Sequence, residues 1–425
     1  MRVVRFIQIG DLHLDQGQRN VDRLAAFDFV INAGMKTEHL GAWLFPGDVN
    51  SARMSIENRN ALILRVLRMA DIAPVVIVPG NHDLPGDLDF LRNLRTTWPI
   101  EVITSPQVIT LELADHGSRS GQIASIACLP YPSKAMLVAA GTPHEQLGVA
   151  AANALDILFM DLGSRLEQAR TRGEIALFLG HVNVAGAIAS TGQPQIGQEL
   201  EITGAHLVRL GPCFKGLNHI HKHQIVNSGI ESAFFAGSLS RQDWGEIEPK
   251  GYLEIAYGAH GWGGYAGDGP FDSAGEHWDY DVAFRLVPVA PMYHVEGTLT
   301  RDEFTWRVTK GPGGPKDDAP ESWAGCDVRV RASYVSSERD VLTLAKERVQ
   351  RIFAVARRFE FEPIAVPDRV LRAPEIVAAK TFDEKLRAWA KLSGVTWSAE
   401  IERCAILLQG ENDEAIIADV QTRIS

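Results

Sequence analysis

The sequence lacks the features that mark membrane proteins and ATPases. No apolar run reaches the length needed to cross a bilayer, so we predict no membrane segment. The first residues, MRVVRFIQIGD, become polar too early for a signal peptide, which predicts a cytoplasmic protein. No GxxxxGK[ST] motif is present, so we predict no ATP-binding phosphate loop.

Cysteine and positive charge are also scarce. The cysteines lie far apart without a CxxC pair, which argues against a disulfide framework or a zinc knuckle and favours reduced, buried thiols. Lys and Arg number 42 against 53 Asp and Glu, and the formal net charge is −11. Proteins that track nucleic-acid phosphates usually carry excess basic residues. If this chain handles DNA, a local basic patch, a metal centre or a partner must supply the attraction.

The sequence does contain a repeated pattern of short apolar runs that each end abruptly in a polar cluster. Five segments follow it: VVRFIQIGDLH (3–13), AWLFPGDVN (42–50), APVVIVPGNHD (73–83), EIALFLGHVN (174–183) and FKGLNHIHKH (214–223). Near-continuous apolar runs favour strands buried on both faces, and the clusters stand where α/β sheets carry active-site loops. Apolar spacing predicts helices between them at 21–40, 57–70 and 149–172. This alternation predicts a layered α/β domain. The apolar face predicted for the first of these helices consists of Val21, Leu24, Phe27, Ile31 and Met35.

The composition changes after residue 255, and 425 residues exceed what one core usually holds, so we expect two or three domains. Glycine-rich stretches at 257–275 and 310–322 are typical of loops. Strands predicted at 283–289, 327–334 and 357–366, with a helix at 338–356, indicate a small α+β module. The tail from about 375 is helical, and its apolar stripe consists of Phe382, Leu386, Trp389 and Ala390. Such a stripe more often packs on its own domain than docks another protein.

The polar clusters supply eight candidate site residues at the ends of predicted strands. They are Asp11, His13, Asp48, Asn81, His82, His181, His219 and His221. Each alone has a commoner structural interpretation, such as a turn residue for Asp48 or a satisfied core histidine for His181. Together they offer carboxylate, amide and imidazole ligands without thiolate, which suits Mn, Fe or Zn. Seven candidate ligands exceed the needs of one ion, so two metals about 3.5–4 Å apart that share a carboxylate are expected.

The series D-x-H, GD, GNHD, GH and H-x-H resembles the signature of calcineurin-like metallophosphoesterases. The segments GHVNVAGA (180–187), LNHIHKHQ (217–224) and FFAGSLSRQDWGE (234–246) further resemble the SbcD family, the prokaryotic and phage nuclease subunit of a double-strand-break repair complex. The resemblance implies a four-layer α-β-β-α nuclease domain over 1–255. It also implies a DNA-capping α+β domain over 280–370 and a helical partner-binding segment over 375–425.

The resemblance also assigns roles to the candidate residues. One metal would be held by Asp11, His13 and His221, and the other by Asn81, His181 and His219. Asp48 would bridge the two ions, for which Mn²⁺ is the expected metal. His82 would stabilise charge on the phosphoryl group or assist the leaving oxygen.

Four positions depart from the family pattern or extend it. Ser51 stands where the family usually has an acidic residue or histidine, which puts a catalytic helper in doubt. Asn218 replaces the usual glycine before His219, so a different backbone turn is expected there. Asp15 replaces a common glycine and adds a carboxylate near the site, and His223 is interpreted as a polar neighbour.

The implied function is a two-metal nuclease that acts on duplex DNA ends and single strands, in a homodimer joined through helices around 55–70 and 84–98. Its implied partner is an SbcC-type, SMC-like ATPase, at the nucleoid of a prokaryotic or phage-infected cell. Candidate DNA contacts are Arg241, Lys346, Arg348, Arg351, Arg357 and Arg358, although a solvated helix face is the commoner explanation for most of them. Two alternatives remain: a phosphodiesterase or phosphatase for smaller or protein substrates, and a DNA-end tethering subunit whose nuclease is weak or lost.

Overall fold

The computed structural model describes residues 3–115, 117–133, 147–193, 200–228, 231–258, 265–266, 280–312, 314–315, 318–336, 341–367 and 373–410. The chain divides into two compact units. Unit 1 comprises Met1–Glu296, Arg307–Val330 and Phe353–Glu360. Unit 2 comprises Gly297–Trp306, Arg331–Ile352 and Phe361–Ser425.

The described strands run through most of the chain. In order they are β1 (Val4–Gln8), β2 (Leu40–Phe45), β3 (Val75–Ile77), β4 (Ile100–Val102), β5 (Gln107–Asp115), β6 (Ser118–Leu129), β7 (Ile175–His181), β8 (Asn183–Val184), β9 (Glu201–Ile202), β10 (Phe214–Asn218), β11 (Gln224–Ser228), β12 (Glu231–Phe235), β13 (Gly251–Tyr257), β14 (Tyr265–Ala266), β15 (Tyr280–Leu286), β16 (Met292–Leu299), β17 (Phe304–Gly311), β18 (Gly314–Pro315), β19 (Asp327–Val335) and β20 (Arg358–Val366).

The described helices alternate with the strands in unit 1 and dominate the end of unit 2. They are α1 (Asn20–Gly34), α2 (Ile56–Ala70), a 3-10 turn (Asp89–Asn93), α3 (Leu147–Thr171), α4 (Gly204–Arg209), α5 (Val341–Ile352), α6 (Pro374–Ala378), α7 (Phe382–Leu392) and α8 (Ala399–Gly410). None of the helices in these described stretches has the length and apolar character to cross a membrane.

Unit 1 is built on two sheets that pack face to face. One has the strand order β14-β15-β13-β1-β2-β3-β4, and the other has the order β11-β12-β10-β7-β6-β5. Their inner faces share a buried core that includes Phe6, Leu44, Leu177 and Phe214. The helices α1 and α2 pack on the outer face of the first sheet, and α3 and α4 pack on that of the second. The predicted four-layer α-β-β-α sandwich is therefore confirmed.

The strand directions bring the polar clusters together. In the first sheet β1, β2 and β3 are parallel neighbours, and in the second β7 and β10 are parallel neighbours. Parallel strands end at the same edge of a sheet, which is where α/β folds place their ligand sites. The loops that follow these five strands are the five polar clusters recognised in the sequence.

The predicted apolar face of the first helix is wrong at both ends. Val21 is 72% exposed and Met35 is 49% exposed, whereas Phe27 and Val30 are fully buried. The helix ends at Gly34 because β2 begins at Leu40, so the predicted span of 21–40 is too long. The buried residues of the helix therefore extend from Arg23 to its last residue, Gly34.

Replacing Phe27 with alanine is expected to lower the free energy of unfolding by about 3–5 kcal/mol, because a fully buried ring leaves a cavity between α1 and the sheet. Val21→Ala on the same helix removes an exposed side chain and is the matched control, with almost no change expected. Urea unfolding followed by circular dichroism measures both. Equal losses of unfolding free energy in the two variants would contradict the burial of Phe27 and the exposure of Val21.

β8 pairs with β9 in a two-stranded sheet, and five further strands form a sheet with the order β18-β17-β16-β19-β20. Its strands β19 and β20 match the predicted strands at 327–334 and 357–366, and the predicted helix at 338–356 is the shorter α5. The strand predicted at 283–289 lies in β15, which pairs with β13 in the first sheet of unit 1. Most of the glycine-rich stretch at 257–275 lies outside the described residues.

Other predictions fare unevenly. In the predicted stripe of α7 Ala390 is buried, but Phe382 and Trp389 are nearly half exposed. Of the segment 84–98, the short 3-10 turn is the only helical part, since the chain returns to the sheet at β4. Cys128, Cys213 and Cys326 are free and buried, as predicted, and the side chain of Cys404 lies outside the described residues.

Candidate metal centre

All eight candidate site residues lie at the strand ends of unit 1. They follow or close five strands: Asp11 and His13 after β1, Asp48 after β2, Asn81 and His82 after β3, His181 at the end of β7, and His219 and His221 after β10. Most of these side chains are buried, whereas His82 is exposed. The site therefore combines a buried cluster of ligand-type groups with one histidine that faces solvent.

Backbone strain is concentrated at this cluster. Positive φ angles occur at Asp11 (44°), His13 (52°), Asp48 (47°) and His219 (109°). Among the other described non-glycine residues, only His39 shares this conformation. Such geometry costs on the order of 1–3 kcal/mol per residue and persists only where the surrounding structure imposes it. Four strained residues in one cluster indicate that the fold holds these side chains in place at a cost in local stability.

Asp48 lies between two groups of ligand-type atoms. One group contains Asp48, His13 and His82, and the other contains Asp48, His181 and His219, with the atoms of each group within 4.8 Å of one another. Nε2 of His181 lies 3.1 Å from Oδ2 of Asp48 and 3.1 Å from Oδ1 of Asn81. Nδ1 of His219 also lies 3.1 Å from Oδ1 of Asn81. This position is the one predicted for a shared carboxylate.

The hydrogen bonds of His181 show why a cation suits the site. Its Nδ1 donates to the backbone oxygen of Pro46 (3.0 Å), so in a neutral ring Nε2 carries a lone pair. That lone pair faces the oxygens of Asp48 and Asn81, and three acceptors in contact need a proton or a metal ion between them. Burial lowers the pKa of His181, but Asp48 and Asp11 outweigh it and raise the pKa to about 9. In the absence of metal a proton therefore fills this role.

The second half of the cluster has the same character. Nε2 of His13 and Nε2 of His221 lie 3.0 Å apart, and the rings meet edge to face. Nδ1 of His221 donates to Oε1 of Glu246 at 2.7 Å, which fixes the tautomer with a lone pair on Nε2. Burial holds the pKa of His13 well below its usual value. Nε2 of each ring can therefore serve as a nitrogen ligand, and a divalent ion requires such ligands in their neutral form.

Two acidic residues that were not predicted as site residues support the cluster. Glu246 accepts a hydrogen bond from Nδ1 of His221. Burial disfavours the charge of Glu246, but Lys250 and His221 lower its pKa to about 2. Asp83 accepts bonds from the backbone N–H groups of Gly80, Val49 and Asn50, which ties the GD loop to the GNHD loop. Burial, with the charge of Asp48, raises the pKa of Asp83 to about 6. Both residues end motifs already quoted, but only their contacts reveal these roles.

Ser51 and Asn218, which depart from the family pattern, form hydrogen bonds with residues of the site. Oγ of Ser51 donates to the backbone oxygen of His13 (2.8 Å), and the backbone oxygen of Ser51 accepts from Nδ1 of His82 (3.1 Å). Nδ2 of Asn218 donates to Oδ2 of Asp11 at 2.9 Å. Gly10 makes room for Asn218, because a Cβ at that position would lie 1.9 Å from the amide nitrogen.

The other two positions point away from the cluster. Asp15 forms a salt bridge with Arg23, so its carboxylate is already neutralised. His223 donates to the backbone oxygen of Phe235 and stacks on Phe284 with ring centroids 3.8 Å apart. Of the alternating histidines in KGLNHIHKHQ, two therefore lie at the site and the third packs on the sheet.

Comparison with known proteins identifies a family model that matches part of this chain. Residues 4–211 match the family model of calcineurin-like phosphoesterases, a range that includes six of the eight candidate residues and ends before His219 and His221. A solved structure similar to this chain is GAP50, the anchor in the inner membrane complex of Plasmodium. It is 13% identical, the match covers 60% of this chain and 81% of that one, and the TM-score is 0.38. Residues 4–211 form a calcineurin-like metallophosphoesterase domain, the type of domain found in metal-dependent phosphoester hydrolases.

Proposed function

We propose that the protein is a two-metal DNA nuclease that cuts duplex ends and single strands as the nuclease subunit of an SMC-like ATPase complex. The observation that carries the metal chemistry is the pair of ligand groups that share Asp48 inside a metallophosphoesterase domain. The preference for DNA and for the ATPase partner is supported by the SbcD-like segments after β7, β10 and β12.

The side chains fit two divalent ions, with Mn²⁺ as the expected metal. Asp11, His13 and His221 would hold one ion, and Asn81, His181 and His219 the other, with Asp48 common to both. When bound, such ions supply an activated nucleophile at neutral pH and neutralise charge on the phosphoryl oxygens.

The protein's own groups orient the reactants. His82 is exposed and its Nδ1 is engaged by the backbone oxygen of Ser51, so its Nε2 can face a phosphoryl oxygen or the leaving group. The backbone N–H of His82 donates to Oδ1 of Asp48 at 2.9 Å, which couples the position of this loop to the shared carboxylate. His82 thus acts at the substrate side of the cluster.

The alternatives predict different activities. A tethering subunit without nuclease activity was favoured by Ser51 and Asn218, but both residues orient predicted metal ligands, and every predicted ligand is present. A phosphodiesterase for small substrates would hydrolyse a chromogenic diester but leave DNA intact. A homodimer remains part of the proposal, since the exposed Ile56 and Leu64 of α2 offer apolar surface to a second copy.

The test is cleavage of end-labelled duplex and single-stranded DNA by the purified protein in Mn²⁺. His82→Ala is expected to lower the cleavage rate by about 10²–10⁴-fold while Mn²⁺ binding persists, because His82 is the exposed member of its group and the seven predicted ligands remain in place. EDTA is expected to abolish cleavage.

If the wild-type protein cuts nothing, the assay is repeated with the SMC-like ATPase and ATP. Cleavage only in that mixture would indicate a nuclease gated by its partner. No cleavage in either condition would overturn the nuclease proposal, and retained cleavage in His82→Ala would overturn the role of this histidine.

A further inference from the structure

A cavity of about 280 Å³ lies within unit 1, and its lining includes two of the arginines predicted as candidate DNA contacts, Arg241 and Arg357. Its walls come from the start of α1, the segment after β12, the segment between β15 and β16, and the neighbourhood of residues 327 and 357. One part of the lining is rich in arginine and the other is apolar. A cavity with both kinds of wall can hold a ligand that has an anionic part and an apolar part.

Two carboxylates at the cavity are shared among three arginines. Asp22 accepts bonds from Arg357 (2.7 and 3.0 Å) and from Arg358 (2.6 Å). Asp327 is almost fully buried, pairs with Arg357 at 2.7 Å and lies 3.5 Å from Arg358. The same carboxylate is 3.9 Å from Nη1 of Arg19, which exceeds hydrogen-bond distance.

Arg19 and Arg241 are less completely paired than the other arginines of the cavity. Nη1 of Arg19 lies 3.9 Å from Asp327, and its buried Nη2 has no hydrogen-bond partner among the residues that the structure describes. Arg241 donates through Nε and Nη1 to two backbone oxygens, those of Glu246 and Ala290. Burial lowers the pKa of both guanidinium groups, and nearby carboxylates offset only part of that effect. An additional anion would therefore stabilise the charge of both arginines.

The rest of the lining is largely apolar. It includes Ala25, Ala26 and Phe29 of α1, together with Pro288 and Val289. Phe29 is 41% exposed, so its ring is not fully buried in the core beneath α1 and part of it can contact a ligand. Aromatic rings at such positions serve as stacking platforms for nucleobases.

Gln242 connects the wall of the cavity to the metal centre. Gln242 follows Arg241 in the sequence, and its Nε2 lies 3.4 Å from the backbone oxygen of Asp11. Its Oε1 accepts from Nε of Arg23 at 2.8 Å. A polymer bound at the metals could thus reach the cavity with its next unit.

We infer that this cavity binds one nucleotide of a DNA strand whose neighbouring phosphodiester lies at the metal centre. Its phosphate would contact Arg19 and Arg241, and its base would pack on Phe29. Guanidinium groups bind phosphate through paired, charge-assisted hydrogen bonds, and the volume suits a single nucleotide rather than a duplex. The inference rests on the proposed function for the identity of the ligand. It also explains how an acidic chain attracts DNA.

The first test measures binding of a fluorescein-labelled single-stranded oligonucleotide in EDTA, without cleavage, over a series of salt concentrations. Arg19→Gln is expected to raise the Kd by about tenfold and to lower the slope of log K against log salt by about 0.7, as expected for one lost phosphate contact. Phe29→Ala is expected to raise the Kd several-fold with an unchanged slope, because it removes stacking but no charge. Arg165→Gln is the control, since it removes an exposed charge on α3 that pairs with Asp161.

The second test compares hydrolysis of DNA and of a small chromogenic diester in Mn²⁺. Arg19→Gln is expected to raise KM for DNA by about tenfold and to leave hydrolysis of the small diester unchanged, because that substrate does not reach the cavity. If the wild-type protein hydrolyses only the small diester, the nuclease proposal fails. The oligonucleotide measurement still decides whether the cavity binds a nucleotide. An unchanged Kd in both Arg19→Gln and Phe29→Ala, or an equal loss in Arg165→Gln, would overturn the inference. Should Arg19→Gln fail to fold, Phe29→Ala decides it.

Discussion

Replacing Asp48 with asparagine is expected to remove Mn²⁺ binding and phosphodiester hydrolysis together. Asp48 belongs to both ligand groups, so the substitution withdraws one negative charge from the point where two cations would meet. The amide keeps the shape of the side chain and its oxygen can still accept from the backbone N–H of His82. The loss would therefore reflect charge rather than collapse of the loop. We expect kcat/KM for a small diester to fall on the order of 10³-fold or more.

Calorimetric titration with Mn²⁺ and hydrolysis of the diester measure the two effects. Asp15→Asn is the control, because Asp15 also lies in a loop that follows a strand of the first sheet but is paired with Arg23. It is expected to keep both metal binding and hydrolysis. If Asp48→Asn still bound two equivalents of Mn²⁺ with near wild-type affinity, the shared carboxylate would lie elsewhere.

Replacing Glu246 with glutamine is expected to weaken Mn²⁺ binding by about 10–100-fold without removing any predicted ligand. The carboxylate accepts the Nδ1 proton of His221 at 2.7 Å, which fixes the ring and makes Nε2 more basic. Glutamine can still accept a hydrogen bond but carries no charge, so the ring would be oriented less firmly. The same carboxylate also binds Lys250 at 2.7 Å and the backbone N–H of Gln242 at 2.9 Å.

The charge of Glu246 is not expected to change across neutral pH. The pKa of Glu246 is lowered to about 2, so its stabilising charge is fully present above its ordinary value of 4.5 and is lost as pH falls toward 2. The ratio of wild-type to Glu246→Gln affinity should therefore stay constant across neutral pH. Glu248→Gln is the control, since Glu248 binds Lys250 and Ser190 but no histidine. An equal loss of affinity in both variants would assign the effect to Lys250 instead.

The amino-acid sequence alone determined the layered α/β class, and it predicted eight site residues that the fold brings to the strand ends of unit 1. Apolar runs such as AWLF before Asp48 and VVIV before Asn81 must be buried, and strands buried on both faces end in loops at one edge of a sheet. Donor types at fixed places after those strands predict a metal centre without knowledge of any distance. The same local signals could not place helix faces, since Val21 and Met35 are apolar yet exposed.

Only the tertiary structure decided which groups support the site. Glu246 is 25 residues from His221, and Asp83 is 33 or 34 residues from the backbone groups of the GD loop that it binds. Arg19, Arg241 and Arg357 come from three distant segments, yet they line one cavity. Periodicity and motif spacing carry information about neighbours along the chain, whereas hydrogen bonds and charge balance depend on proximity in space. Ser51 and Asn218 look like losses in the sequence, and folding places both against predicted metal ligands.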